Sequence, residues 1–128
     1  MLKLNGYNLS ARAVAAALRN NLPVALDSGQ LEKVERARSY VERLLTKGKP
    51  VYGINTGFGK LSETRISRDN VAHLQRNLIL SHSCGVGPPL PPQVVKAMII
   101  LRANALMQGH SGIRGAVIQS LIDLVNRG

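Results

Sequence analysis

The segment Val51-Tyr52-Gly53-Ile54-Asn55-Thr56-Gly57-Phe58-Gly59 constrains this chain more than any other. Its glycines, Gly53, Gly57 and Gly59, are too closely spaced for a helix interior. Glycine permits positive φ and close backbone approach, so the spacing predicts a tight, shaped loop. On spacing alone two readings stand: a Gly-rich turn whose tyrosine packs, or a frame that holds the Tyr52 hydroxyl at a fixed place in a cleft. A phosphate cradle is excluded. No Lys-Ser or Lys-Thr follows in P-loop register, and the glycines do not make G-x-G-x-x-G.

Around this loop the pattern is mostly helical. Leu2–Leu4 reads as a short strand ended by Asn5-Gly6, and Ser10 as the N-cap of an Ala-rich helix over Ala11–Arg19. Val24–Leu26 reads as a second strand. Asp27 and Gln30 form a loose capping box opening a helix over Gly29–Thr46, with Leu31, Val34, Val41, Leu44 and Leu45 on its inner face. Glu32–Arg36 and Arg38–Glu42 are i, i+4 pairs on the solvated side, and Gly48 and Pro50 end the helix. Beyond the loop, Ser67 is the expected cap of a helix to about Leu80, with Asp69 in its first turn and Val71, Leu74, Gln75 and Leu78 as its inner stripe. A second irregular segment spans Ser81–Leu90. Pro91-Pro92 suit the start of a helix to Met107 or Gln108 with Gly109 at C′, and Ser111 is the expected cap of a helix over Gly112–Val125. Apolar residues circle most of these last two helices, so helices 91–108 and 111–125 are expected to be buried by further chain or partner subunits.

Composition narrows the function classes. A chain of 128 residues with 45% apolar content suits one domain. With three Tyr, one Phe and no Trp, its core must be aliphatic, which favours packed helices over a β-sandwich. The net charge of +10 is spread from Lys3 to Arg127 without adjacent cations. There is no zinc-finger spacing, RNP-like motif or basic helix face, so a nucleic-acid module is disfavoured against a chain whose further length carries compensating acid. Cys84 stands alone, which excludes an internal disulfide, agrees with a reducing compartment and suggests a small buried hydrophobe. No signal peptide is apparent, and Val94–Met107 is too polar for a membrane span, so a cytoplasmic location is expected. His73, His82 and His110 lie too far apart for a metal motif; a nucleophilic pair of Cys84 with one of them stays open.

Four further blocks extend the reading: Leu74-Gln75-Arg76-Asn77-Leu78, Ser81-His82-Ser83-Cys84-Gly85-Val86-Gly87, Leu101-Arg102-Ala103-Asn104-Ala105-Leu106 and Gly109-His110-Ser111-Gly112-Ile113-Arg114. With the 51–61 segment they resemble, in order, the N-terminal part of the histidine and aromatic amino-acid ammonia-lyases. Residues 50–127 match almost continuously and residues 1–49 in pattern only.

The resemblance implies a mainly α fold: the N-terminal part of the ammonia-lyase fold, helices with short strands and two Gly-rich active-site loops. Residues 1–128 would then be a single N-terminal segment of a longer lyase, with loops 51–66 and 81–90 carrying the site residues. In that family the electrophile is a methylidene-imidazolone (MIO) made from an Ala-Ser-Gly triplet, which occurs nowhere in these 128 residues. The chain alone is therefore expected to be inactive as a carbon–nitrogen lyase. Tyr52 matches the inner-loop tyrosine that takes part in removing the substrate proton. Ser81-His82 matches the pair that tracks substrate choice: His-Leu in tyrosine lyases, Phe-Leu in phenylalanine lyases, Ser-His in histidine lyases. This implies L-histidine as substrate and elimination of ammonia to urocanate, with His82, Ser81 and Gly59 binding it and Tyr52 catalytic. A histidine can hydrogen-bond an imidazole, whereas a leucine suits an apolar ring. The resemblance further implies a homo-oligomer, a tetramer for the intact fold, with no metal and no membrane. The alternatives are another aromatic amino-acid ammonia-lyase or aminomutase, or a non-catalytic fragment that binds a partner or assembles.

Overall fold

In a computed structural model of the chain, the described residues are 1–47, 49–57, 59, 66 and 68–128, with backbone alone for Arg68, Asp69 and Val71. They form two short strands and five helices: β1 (Leu2–Leu4), α1 (Ala11–Arg19), β2 (Val24–Leu26), α2 (Ser28–Lys47), α3 (Arg68–His82), α4 (Pro92–Leu106) and α5 (Gly115–Arg127). The chain divides into two compact units, one made of residues 1–40 and 89–128, the other of residues 41–88.

In the first unit β1 and β2 pair in parallel, with Leu2 opposite Val24 and Leu4 opposite Leu26. A two-stranded ribbon is marginal alone. Here Asn126 of α5 acts as a third strand would: its Oδ1 accepts from the Val24 N–H and its Nδ2 donates to the Val24 carbonyl, both at 2.9 Å. Helix α1 begins as its sequence dictates, the Ser10 hydroxyl accepting from the Ala13 N–H at 3.1 Å. Asp27 opens α2 by accepting from the Gln30 N–H at 2.9 Å, and it pairs with Lys3 of β1 at 2.9 Å. The hydrogen bond from Lys3, then that from Gln30, holds the Asp27 carboxyl below its ordinary value. On the exposed side of α2 the Glu32–Arg36 pair forms at 3.9 Å. Lys33 donates to the Tyr7 hydroxyl at 2.8 Å and lies 5.5 Å from its ring centre; this bond draws the Tyr7 phenol below its ordinary value.

The core of this unit is aliphatic, as composition required. Leu4, Val34, Ile100, Met107, Ile118 and Ile122 are sealed from solvent, and each such side chain contributes about 1.5–3 kcal/mol on burial. Both C-terminal helices bury one face, yet Val94, Val95, Met98, Leu101, Val117 and Leu124 are exposed on their other sides.

Helix α2, at Ser28–Lys47, is one residue longer at each end than expected, and the C-terminal helices differ more. Helix α5 starts at Gly115, not at Gly112 after a Ser111 cap. Gly112 has a φ of +66°, which no helix interior adopts, and Ser111 Oγ reaches only the Ile113 N–H, at 3.4 Å. The free N–H at the helix start is taken instead by Glu35 of α2, whose Oε1 accepts from Gly115 at 2.9 Å. Helix α4 ends at Leu106, with Met107 as cap and Gly109 at φ +74°.

In the second unit α3 extends to His82, so Ser81 and His82 belong to its last turn and the irregular segment begins at Ser83. Leu74 and Leu78 are half-buried, but Gln75 is exposed and not part of the inner stripe: a polar side chain gains nothing by leaving water there. Cys84 is exposed too, contrary to its expected burial, because every residue from Ser83 to Pro88 faces solvent. The expected Gly48 stop and Ser67 cap, and the side chains of Asp69 and Val71, lie outside the described residues.

Candidate active site

Tyr52 sits on a single closed turn of backbone. The Ile54 and Asn55 N–H groups both donate to the Val51 carbonyl, at 3.0 and 3.2 Å, and Gly53 supplies the positive φ, +75°, that such a turn demands. Asn55 then reaches back: the Val51 N–H donates to its Oδ1 at 2.7 Å, and its Nδ2 donates to the Lys49 carbonyl at 2.9 Å. Its own carbonyl accepts from the Ile66 N–H at 3.0 Å. Asn55 and Thr56 are nearly solvent-free, at 5% and 2% exposure, while Tyr52 beside them is 64% exposed. The Thr56 hydroxyl turns inward to the Gly57 carbonyl at 3.0 Å. The turn thus buries its polar frame and presents its phenol.

The second part of the site is the end of α3. The Ser81 hydroxyl donates to the Leu78 carbonyl at 2.9 Å. His82 Nδ1 lies 2.9 Å from the same carbonyl and 3.0 Å from Ser81 Oγ. A carbonyl can only accept, so this contact places the proton of a neutral His82 on Nδ1 and leaves Nε2 as an acceptor. The following Ser83 also folds back, donating to the Ile79 carbonyl at 2.6 Å.

All four residues singled out in the sequence, Tyr52, Gly59, Ser81 and His82, fall in the unit 41–88 and all are exposed. Gly59 has a φ of +58° and open space around it. Phe58, Lys60 and residues 61–65 of the first loop lie outside the described residues. The residue that sequence reading left without a role is Asn55. Its signal was present, an asparagine among glycines in a turn, but its partners were not. A cavity of about 280 Å³ elsewhere, lined by Leu22, Lys96, Ile100 and Arg127 among others, includes none of the four. Among the described residues no cluster of His, Cys, Asp or Glu could hold a metal ion, and no helix is long and apolar enough to cross a membrane.

Comparison with known proteins identifies the class to which this mainly helical scaffold belongs. The chain belongs to the aromatic amino acid lyase family, whose model matches residues 9–128. Within it, the chain is 47% identical over 126 residues to histidine ammonia-lyase of Geobacillus sp. (strain WCH70), covering 98% of this chain and 25% of that one. Among solved structures it superposes on ergothionase, the ergothioneine-degrading enzyme of Treponema denticola, with a TM-score of 0.91 at 35% identity over 98% of this chain and 25% of that one. Histidine ammonia-lyase of Trypanosoma cruzi gives 0.88 at 34% over 99% of this chain and 24% of that one. The chain spans about a quarter of the length of the curated relatives it matches.

Proposed function

We propose that this chain is the N-terminal part of a histidine ammonia-lyase, which eliminates ammonia from L-histidine to give urocanate. The observation that carries the reading is His82. Fixed on the Leu78 carbonyl through Nδ1, it offers Nε2 to a partner with an N–H, as an imidazole substrate has. Tyr52, exposed on its closed turn, is the group proposed to take the substrate proton. Ser81 and Gly59 are the further residues proposed to contact the substrate.

The family uses the MIO electrophile, which activates the substrate amine for departure. The residues of this chain do not fit it, since no Ala-Ser-Gly is among them. The 128-residue chain by itself should therefore form no urocanate. Assembly as a homo-oligomer, with a tetramer as the proposed form, is supported by the exposed Val94, Met98, Leu101, Val117 and Leu124.

The test is steady-state kinetics on the lyase that carries this segment, following the conjugated unsaturated acid that each substrate gives, urocanate for histidine, by its ultraviolet absorbance with histidine, phenylalanine, tyrosine and ergothioneine as substrates. Histidine should be preferred. His82→Leu should raise KM for histidine and lower kcat/KM roughly ten- to a hundredfold, the effect of losing one hydrogen bond in a closed site. Tyr52→Phe should act on kcat, because it removes the proton acceptor and keeps the ring. Unchanged histidine kinetics in His82→Leu would make His82 structural and remove the main support for histidine as substrate.

A further inference from the structure

We infer that Asn55 is a positioning residue for the Tyr52 phenol. The inference rests on the reading of Tyr52 as the proton acceptor, and goes beyond it by assigning what holds that group in place. Pro50 interrupts the backbone just before the tyrosine turn and has no N–H of its own. Asn55 bridges this gap. Its side chain takes the Lys49 carbonyl on one side of the proline and the Val51 N–H on the other, at 2.9 and 2.7 Å. Its backbone carbonyl and N–H are paired as well, with Ile66 and Val51. Each of the four polar atoms of this 5%-exposed residue therefore has a partner within the turn and its flanks.

Among the described residues of 41–88 no apolar side chain is buried, so the hydrogen bonds of Asn55 are a large part of what orders the turn. The site next to Gly53 is open space. Remove the carboxamide and the Val51 and Lys49 backbone groups turn to water, which loosens the segment that carries the phenol. A reacting group displaced by about 1 Å loses on the order of a hundredfold in rate.

The experiment compares Asn55→Ala, Tyr52→Phe and the double variant in the lyase that carries this segment. Asn55→Ala should lower kcat about ten- to a hundredfold with KM for histidine changed less than about threefold, and with the thermal transition of the enzyme retained. The double variant should turn over no more slowly than Tyr52→Phe, since a misplaced phenol and an absent one are the same loss. If the two losses multiply, or if Asn55→Ala keeps the wild-type kcat while Tyr52→Phe is inactive, Asn55 does not act through Tyr52 and the inference falls alone. If Tyr52→Phe itself keeps full kcat, the reading of Tyr52 falls and takes the inference with it. Amide hydrogen exchange on the unaltered enzyme needs no variant to fold. The Val51 N–H should be protected, and exchange there at the rate of an open peptide overturns the proposal.

Discussion

Leu4, Ile100, Met107, Ile118 and Ile122 lie at the centre of the unit formed by residues 1–40 and 89–128, whereas in residues 41–88 the buried positions among those described are Asn55, Thr56 and Gly57. One region excludes water with aliphatic side chains and the other with a hydrogen-bonded turn. Apolar burial is non-directional and adds up over area, so it sets global stability. Hydrogen bonds add little net stability each but fix direction and distance. The difference places the candidate catalytic groups in the region whose order is geometric, on a chain whose stability is supplied by the other region. Regions with few buried apolar contacts open most readily, which is what a site that must admit a substrate needs.

The comparison is broken most directly by emptying the core. Ile118→Ala should cost about 2–5 kcal/mol, because its side chain is sealed from solvent and a cavity is left behind. Leu74→Ala, half-buried in the other unit, should cost under about 1.5 kcal/mol. Urea titration of both variants measures the contrast. Equal losses would mean that residues 41–88 carry a share of the core after all.

A smaller effect tests close packing against turn geometry. A Cβ at Gly115 would stand 2.9 Å from Leu31 Cδ1 and closer still to the Glu35 carboxylate that caps α5; both are ends of flexible side chains, so Gly115→Ala should cost chiefly the displaced cap, about 0.5–2 kcal/mol. Gly53→Ala meets no neighbour but forces an alanine to φ +75°, a strain of about 1–2 kcal/mol that falls on the tyrosine turn alone. Its signature should be a lowered kcat in the whole lyase with little change in the denaturation midpoint of the core.

The smallest effect is a titration. Asp27 has its folded-state value depressed by Lys3 and Gln30, so the folded state gives up this proton more readily than the unfolded one. Its contribution is complete above the unfolded carboxylate value of about 3.9, and it is lost as pH falls through the lower folded value. The melting-temperature gap between the native sequence and Asp27→Asn should therefore be widest near neutrality and close in acid. A gap that stays constant down to pH 2 would show that the Lys3 pair does not form.

What the sequence revealed follows the range of each signal. Strand β1 and helix α1 have the bounds that Asn5-Gly6 and Ser10 announce, because each signal lies next to the boundary it sets, and β2 has the bounds expected of Val24–Leu26. The start of α5 was misplaced because its cap is Glu35, eighty positions away, with no local trace. The Asn126 clamp on β2 escaped for the same reason. In the candidate site, Tyr52, Gly59, Ser81 and His82 were legible through motif resemblance. Asn55 was visible as a residue, but its role is a matter of where its two amide atoms point. The orientation of His82, likewise, comes from its contact with the Leu78 carbonyl four positions back in α3.

The clamp of Asn126 on β2 also sets an order of events in synthesis. The two groups that meet, at Val24 and Asn126, are 102 positions apart in the chain. At an elongation rate of 5–20 residues per second, the second strand leaves the ribosome about 5–20 s before its clamp has been made. Through that interval β2 has an edge with unpaired backbone, which is the feature that recruits other nascent strands. Lys3 and Asp27, one beside each strand, are on hand throughout as charged deterrents to such pairing. The fifth helix is thus the one that closes the first sheet to be laid down.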